Sequence, residues 1–381
     1  MTVTIPAPTQ PKERPSERSF FIDVFKAIGC VLIVLHHLAF YGPMADVVAK
    51  AWPGSISWLA QHARLAVYMF LVCSGFLTAQ TVLTLPSLSL GQVLQRTAQR
   101  YLRLVGPLLA ALSLTVLISE LIRDSFAHES LSATPGWAQV LGHVFFLQHL
   151  LGQEALSAGV WYVAVDFQLY LSALLLTWGA QRLQAYGQGM ARAWQTVLVA
   201  VLMLGSLVMW SHQQVLEDTA LFFWGAYGLG VMAWRTRAWS ITWQRALVWL
   251  VLAGVCLVWD ERGRALTAWA VAAWLAWMPM GAAPQVRTAW QEGVVWLSRI
   301  SYSVFVVHFG VSLGVNALVS ALWPDVVLMN AAGMVAALAL SVLLGQGLHR
   351  LTEQGRARWT RWAGWSATFM VSSAAAMWLA S

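Results

Sequence analysis

Polar and charged positions divide this 381-residue chain into apolar runs. Most are about 17–25 residues long, enough for a helix to cross a bilayer. The runs fall at 20–41, 65–85, 104–122, 159–180, 195–211, 219–234, 246–259, 265–281, 300–322 and 327–347. They predict an all-α fold, a polytopic transmembrane helical bundle of about ten spans. A last run at 365–380 fits either an eleventh span or an interfacial helix, because its many Ser and Ala residues suit both. The chain thus divides into a polar, proline-rich tail at 1–19, a membrane region at 20–347, and a basic segment with an apolar helix at 348–381. The tail composition predicts disorder. No small-residue cleavage site follows the first run, so it reads as a span rather than a signal peptide.

Ionisable residues inside such runs are costly unless they face a protein interior or a water-filled cavity. The first run, FFIDVFKAIGCVLIVLHHLAFY, carries Lys26 and His37. Eleven residues at about 100° each end only about 20° past three full turns, so the two share a helix face about 16 Å apart. That pair predicts a polar path through much of the bilayer. His36 lies off this face and is the weaker candidate for a base.

Four further segments carry candidate chemistry. In ARLAVYMFLVCSGFL, Arg64 sits near one end of the second run and Ser74-Gly75 deep within it. Small residues there suit close helix packing, and Arg64 either snorkels to the interface or serves function. Arg96, Arg100 and Arg103 fall on one helical face after that run. They fit a basic helix on anionic lipid or a clamp for a phosphorylated donor. Asp166 lies inside the fourth run with Tyr162 and Tyr170 at i−4 and i+4. A buried carboxylate needs a partner, either a structural tie to another helix or a histidine that it orients. Ser301 and His308 share a face of the ninth run. His143, His149 and His212 fall in connecting segments and suggest no special role.

Composition supports a membrane protein: 59% of residues are hydrophobic and 10% charged, with mean hydropathy +0.63. The 23 tryptophans suit two membrane–water interfaces. With the N-terminus inside, the cytoplasmic segments collect Lys12, Arg14, Arg18, Arg96, Arg100 and Arg103, and later ones through Arg350 to Arg361. The opposite side holds only Lys50, Arg64, Arg123, Arg262 and Arg264. This positive-inside bias accounts for the net charge of +7 without invoking nucleic acid. Cys30, Cys73 and Cys256 fall within apolar runs, where they act as small hydrophobes. Neither a disulfide framework nor a zinc spacing is visible, no metal site is expected, and P-loop and dinucleotide signatures are missing.

Taken together, the segments resemble the membrane acyltransferase family 3. Its members begin with a basic residue, ten residues and a histidine, as in Lys26 and His37, with lysine in place of the usual arginine. A phenylalanine-rich segment ending in Ser-Gly-Phe is matched by Phe70 to Phe76, and an Arg-x-x-Arg pair before a proline by Arg100, Arg103 and Pro107. A tryptophan followed by a Val-Glu-Glu-Gln-Phe-Tyr-like run is matched by Trp161 and Val165 to Tyr170, and an Ile-Ser-Tyr-Ser run before histidine by Ile300 to His308. Five weak matches in the family's order make a specific one. The family's frequent acidic residue is Tyr68 here, and the second glutamate of its pair is Phe167. The Arg64-x-x-Val67 context looks more like the branch without an attached esterase-like domain.

The resemblance implies an O-acyltransferase of the bacterial inner membrane, N-terminus cytoplasmic. It would move an acyl group, acetyl foremost, from cytosolic acyl-coenzyme A to a hydroxyl of an extracytoplasmic or lipid-linked glycan. Acyl-coenzyme A would be a co-substrate, with no bound cofactor; the other partners would be the glycan and membrane lipids. Charge geometry fits this scheme. Arg100 and Arg103 would hold donor phosphates, and Lys26 would anchor the donor or line the conduit. His37 would act as base, with Asp166 orienting it; an acyl-histidine route is the alternative. His36, Arg64, Ser74, Trp161, Tyr162 and His308 are supporting candidates. A glycan or small-molecule transporter or flippase would also suit a charged conduit, but would ignore acetyl-coenzyme A. A membrane scaffold would tolerate loss of His37. Acyl length, acceptor and oligomeric state stay open at this point.

Overall fold

The computed structural model describes residues 20–183, 190–278, 287–355 and 358–380. The tail at 1–19 and the last residues of the run expected at 265–281 lie outside them. The described residues fold into helices, with no strand among them. In chain order these are α1 (Phe20–Phe40), α2 (Pro43–Ala49), α3 (Pro53–His62), α4 (Ala66–Thr78), α5 (Leu90–Ile122), α6 (Trp137–Val144) and α7 (Val160–Arg182). There follow α8 (Met190–Val208), α9 (Ala220–Arg237), α10 (Thr242–Val258), α11 (Arg264–Trp277), α12 (Ala289–Leu322), α13 (Val327–Thr352) and α14 (Trp359–Leu379). Each of the ten expected spans falls on a helix. Among the described residues, seven helical stretches are long and apolar enough to cross a membrane, including Phe20–Phe40, Pro53–Leu83, Leu90–Ile122 and Ala289–Leu322. The helices at the other three expected spans, α9, α10 and α11, are shorter, at 18, 17 and 14 residues.

The arginine-rich stretch after the second run is no separate helix on the lipid surface. It forms the first turns of α5, a continuous helix of 33 residues. A capping box starts it: Ser89 Oγ accepts from the Gln92 amide at 3.2 Å, and Gln92 Oε1 accepts from the Ser89 amide at 2.9 Å. Nothing breaks the helix between that cap and the membrane, and even Pro107 lies within it. Arg100 is thereby carried into the bundle, while Arg103 stays exposed at the edge of the cavity described below.

Small residues set the tightest crossing. A Cβ on Gly75 of α4 would lie 2.0 Å from the Tyr227 carbonyl oxygen of α9, and one on Gly230 would lie 2.0 Å from that of Val72. The two backbones meet there because neither glycine has a side chain. The α14 helix packs along α5. Trp362 Nε1 donates to the Tyr101 hydroxyl at 3.0 Å, and the Trp365 ring lies 3.6 Å from where a Cβ on Gly106 would be. Phe369 and Ala376 are fully buried. α14 thus packs against α5, though at 21 residues it is not among the helices apolar enough to cross a membrane.

Polar pairs join the loops at one end of the bundle: Lys50 with Asp325 at 3.2 Å, His149 with Asp218 at 3.3 Å, and His212 with Glu261 at 2.9 Å. At the other end, Arg235 donates to Gln195 Oε1 at 3.0 Å and Arg237 to the Met278 carbonyl at 2.7 Å. Loops expected on one side therefore do meet one another. The segment between α5 and α7 folds inward: His143 is fully buried, and the Val144 carbonyl accepts from the Tyr101 hydroxyl at 2.7 Å.

Candidate active site

A cavity of about 460 Å³ lies among α1, α4, α5, α7, α12 and α13. Its walls follow from helical periodicity. On α4, Phe70, Ser74 and Leu77 recur at three- or four-residue steps and face it, and Thr81 follows in the next helical stretch, Ala79–Leu83; on α12, Arg299, Tyr302 and Phe305 do the same. The end nearer the C-terminus of α13 is polar. Lys26, Arg103 and Arg299 bring three cations there beside Glu353. Glu353 accepts from Ser303 Oγ at 2.5 Å and sits 3.1 Å from His349 Nδ1. The opposite end is closed by rings: Phe70 and Tyr162 have centroids 6.2 Å apart, and Tyr162 and Phe305 5.3 Å apart.

One helical turn beyond Phe305, α12 presents His308, which meets His37 of α1. His37 Nδ1 and His308 Nε2 are 2.6 Å apart, with the rings nearly coplanar in orientation at 5°. Both are buried. Their tautomers follow from the partners. His308 Nδ1 lies 2.5 Å from the Phe305 carbonyl oxygen, which can only accept. In the neutral pair His308 therefore carries its proton on Nδ1, and its Nε2 accepts. His37 must then donate from Nδ1, which leaves its Nε2 with a free lone pair. That nitrogen is equipped to take a proton.

Asp166 does not serve His37. Its carboxylate accepts from Ser74 Oγ at 2.7 Å and pairs with Arg100. The expected orienter is thus a structural tie among α4, α5 and α7, and the residue beside His37 is His308. The reason is cost: a carboxylate only 4% exposed needs a full opposite charge, and Arg100, once inside the bundle, supplies one. Arg100 still lines the cavity but is already paired; Arg103 and Lys26 also line it. Tyr162 forms part of the floor, whereas Trp161 stacks on Phe223 at 5.3 Å, away from the cavity lining. His36 turns to the Leu59 carbonyl at 3.3 Å. Arg64 lies at the other end of the bundle, in the short turn Ala63–Leu65.

Sequence reasoning had no place at the site for Arg299, Tyr302, Phe305, His349 and Glu353. Arg299, Tyr302 and Phe305 could have been found, since they share a face one to three turns below His308. His349 and Glu353 carry no such signal; only the packing of α13 on α12 brings them in.

The described residues thus form a helical bundle with a cation-lined cavity and a buried histidine pair beyond its aromatic end. The sequence model of an acyltransferase domain, acyltransferase family 3, matches residues 19–346, and the chain belongs to that family. It is an integral membrane acyltransferase. No curated protein and no solved structure matches it.

Proposed function

We propose that the protein transfers an acyl group, acetyl in the first instance, from cytosolic acyl-coenzyme A to a hydroxyl of an extracytoplasmic or lipid-linked glycan. The observation that carries this reading is the contact of His37 Nδ1 with His308 Nε2 at 2.6 Å, one helical turn beyond the aromatic end of a cavity with a cationic mouth. Coenzyme A has a polyanionic nucleotide and a long, thin, uncharged arm ending in the thioester. Arg103, Arg299 and Lys26 suit the phosphates; the aromatic end suits the arm and acyl group.

The chemistry balances on this chain's own residues. The acceptor hydroxyl gives its proton to His37 Nε2 as its oxygen attacks the thioester carbonyl carbon. The charge that forms on the imidazole is shared through Nδ1–H with His308. Collapse of the tetrahedral intermediate breaks the C–S bond, and the thiolate takes the proton back from His37. The products are the ester and free coenzyme A. Arg100 and Asp166 keep α5 and α7 in register beside the thioester.

Radiolabelled acetyl transfer to purified envelope glycan tests the reading. His37→Ala should lose about 10²–10⁴ in rate while retaining acetyl-coenzyme A binding, because the base lies outside the donor cavity. His308→Ala should lose less, since it removes the group that fixes the His37 tautomer but not the base. Wild-type transfer by a folded His37→Ala protein would refute the mechanism.

A further inference from the structure

The walls of the donor cavity carry several hydroxyls that are already engaged. Ser74 Oγ donates to Asp166 at 2.7 Å, Ser301 Oγ to the Ser298 carbonyl at 2.9 Å, and Thr81 Oγ1 to the Leu77 carbonyl at 2.8 Å. The Tyr302 hydroxyl donates to the Leu104 carbonyl at 2.7 Å. Tyr162 differs. It lines the same cavity, and its hydroxyl makes no hydrogen bond to any described residue. Nor is that oxygen sealed in, since the residue is half-buried and its hydroxyl keeps accessible surface.

The ring that carries this hydroxyl is held by its neighbours. Phe305 packs edge-on to it at 5.3 Å and 72°, Trp161 at 6.1 Å and 85°, and Phe70 lies tilted at 6.2 Å. A held ring fixes the phenolic oxygen and leaves only its proton free to turn toward an acceptor. The opening available to that proton is the cavity.

Position decides which acceptor would meet it. The Phe305 ring on which Tyr162 packs also lies 5.9 Å from the His308 ring. Tyr162 belongs to the cavity lining, whereas His308 lies beyond it, in contact with His37. With the nucleotide of the donor at the cationic end, the thioester at the tip of the arm comes to the aromatic end. Its carbonyl oxygen only accepts hydrogen bonds, and it gains a full negative charge when the carbon is attacked.

We propose that the Tyr162 hydroxyl donates to the thioester carbonyl oxygen and stabilises the oxyanion formed as the acceptor attacks. This inference rests on the acyl-transfer reading above. As the new C–O bond forms, the carbonyl π pair moves onto the oxygen, and Tyr162 keeps its proton while holding that charge. As the C–S bond breaks, the pair returns and the carbonyl is restored. A preset donor of this kind acts most strongly where water is excluded.

The first test removes the acceptor atom from the ligand. The full chain in neutral detergent is titrated by calorimetry with acetyl-coenzyme A and with S-ethyl-coenzyme A, a thioether without the carbonyl oxygen. Wild type should prefer acetyl-coenzyme A by about three- to tenfold, the range for one hydrogen bond. Tyr162→Phe keeps the ring and its packing, and should bind the two ligands equally. Tyr170→Phe is the control. Tyr170 lines the same cavity eight residues further along α7, about 12 Å from Tyr162 along the axis, so its loss should leave the preference intact. Equal binding of both ligands by wild type, or an undiminished preference in folded Tyr162→Phe, would overturn the assignment. Acetyl transfer is then measured on the same samples. Tyr162→Phe should lower kcat about 10²–10³-fold, with KM for acetyl-coenzyme A rising no more than the binding loss. Wild-type kcat in Tyr162→Phe sinks this inference alone. A Tyr162-dependent preference without any transfer by wild type upholds the carbonyl contact and sinks the acyl-transfer reading.

Discussion

A carboxylate buried among apolar helices survives only with a partner, and Asp166 has two in Ser74 and Arg100. Breaking such a pair from one side is costly, because the remaining charge stays buried alone; typical losses are about 3–5 kcal/mol. Asp166→Asn should therefore lower the melting temperature of the purified protein clearly. The double variant Arg100→Met with Asp166→Leu should recover much of that stability, since apolar residues of similar volume often replace a buried ion pair at little cost. A double variant no more stable than Asp166→Asn would show that the pair holds more than itself. At this scale the sequence shows the candidates but not their partners. Lys26, His37, Arg100, Asp166 and His308 each stand out as polar residues in apolar runs. Which cation meets Asp166, and that His308 rather than Asp166 meets His37, depends on contacts across 66 and 271 positions of chain. No periodicity within one helix records such contacts.

Between the donor cavity and the histidine pair stands a floor of rings, and two of these rings rest on glycines. The Phe70 ring lies 3.1 Å from the Cβ position of Gly29 on α1, and the Phe305 ring 2.8 Å from that of Gly159. Helices α1 and α7 thus approach the rings without side chains in between. With acyl transfer at this site, the floor sets the room for the acyl chain. Phe305→Ala should shift preference from acetyl- toward hexanoyl-coenzyme A. The ratio of their kcat/KM values should move by about 10–200-fold, the range for small volume changes in an apolar pocket. An unchanged ratio in a folded variant would place acyl selection elsewhere. Elements themselves were legible where they are apolar throughout, as in α1, α7 and α13. They were underestimated where amphipathic turns extend a span, as in the start of α5 and of α12. Those turns bury one face against protein, so hydropathy averages over them and sees only polarity. The short α2 and α3 were missed for a related reason: they are helical because they pack against α1 and α13, while their sequence alone reads as a connection.

Orientation in the membrane belongs to the whole molecule, and it decides which compartment supplies the donor. The cavity opens at the end where α13 finishes, and Arg350 stands exposed on the last turns of that helix. On the orientation proposed from the charge bias of the loops, this end would face the cytoplasm, the compartment of the proposed acyl-coenzyme A donor. The paired loops at the other end, with Lys50 and Asp325 at 3.2 Å, would then face outward, as would Arg64, Arg262 and Arg264. This expectation comes from the sequence alone, because charge asymmetry is summed over many residues and survives small errors in each boundary. The closure of the cavity short of the far side was not visible, since it depends on three rings from three helices. Cys30, Cys73 and Cys256 are all buried, so a background with these three replaced by alanine suits cysteine labelling. In intact cells, an impermeant maleimide should label Lys50→Cys and Asp325→Cys directly. Arg350→Cys should react only after the membrane is opened. Labelling of position 350 from outside would turn the cavity mouth away from the cytoplasm, and a cytosolic thioester donor could then not reach His37 by the route drawn here.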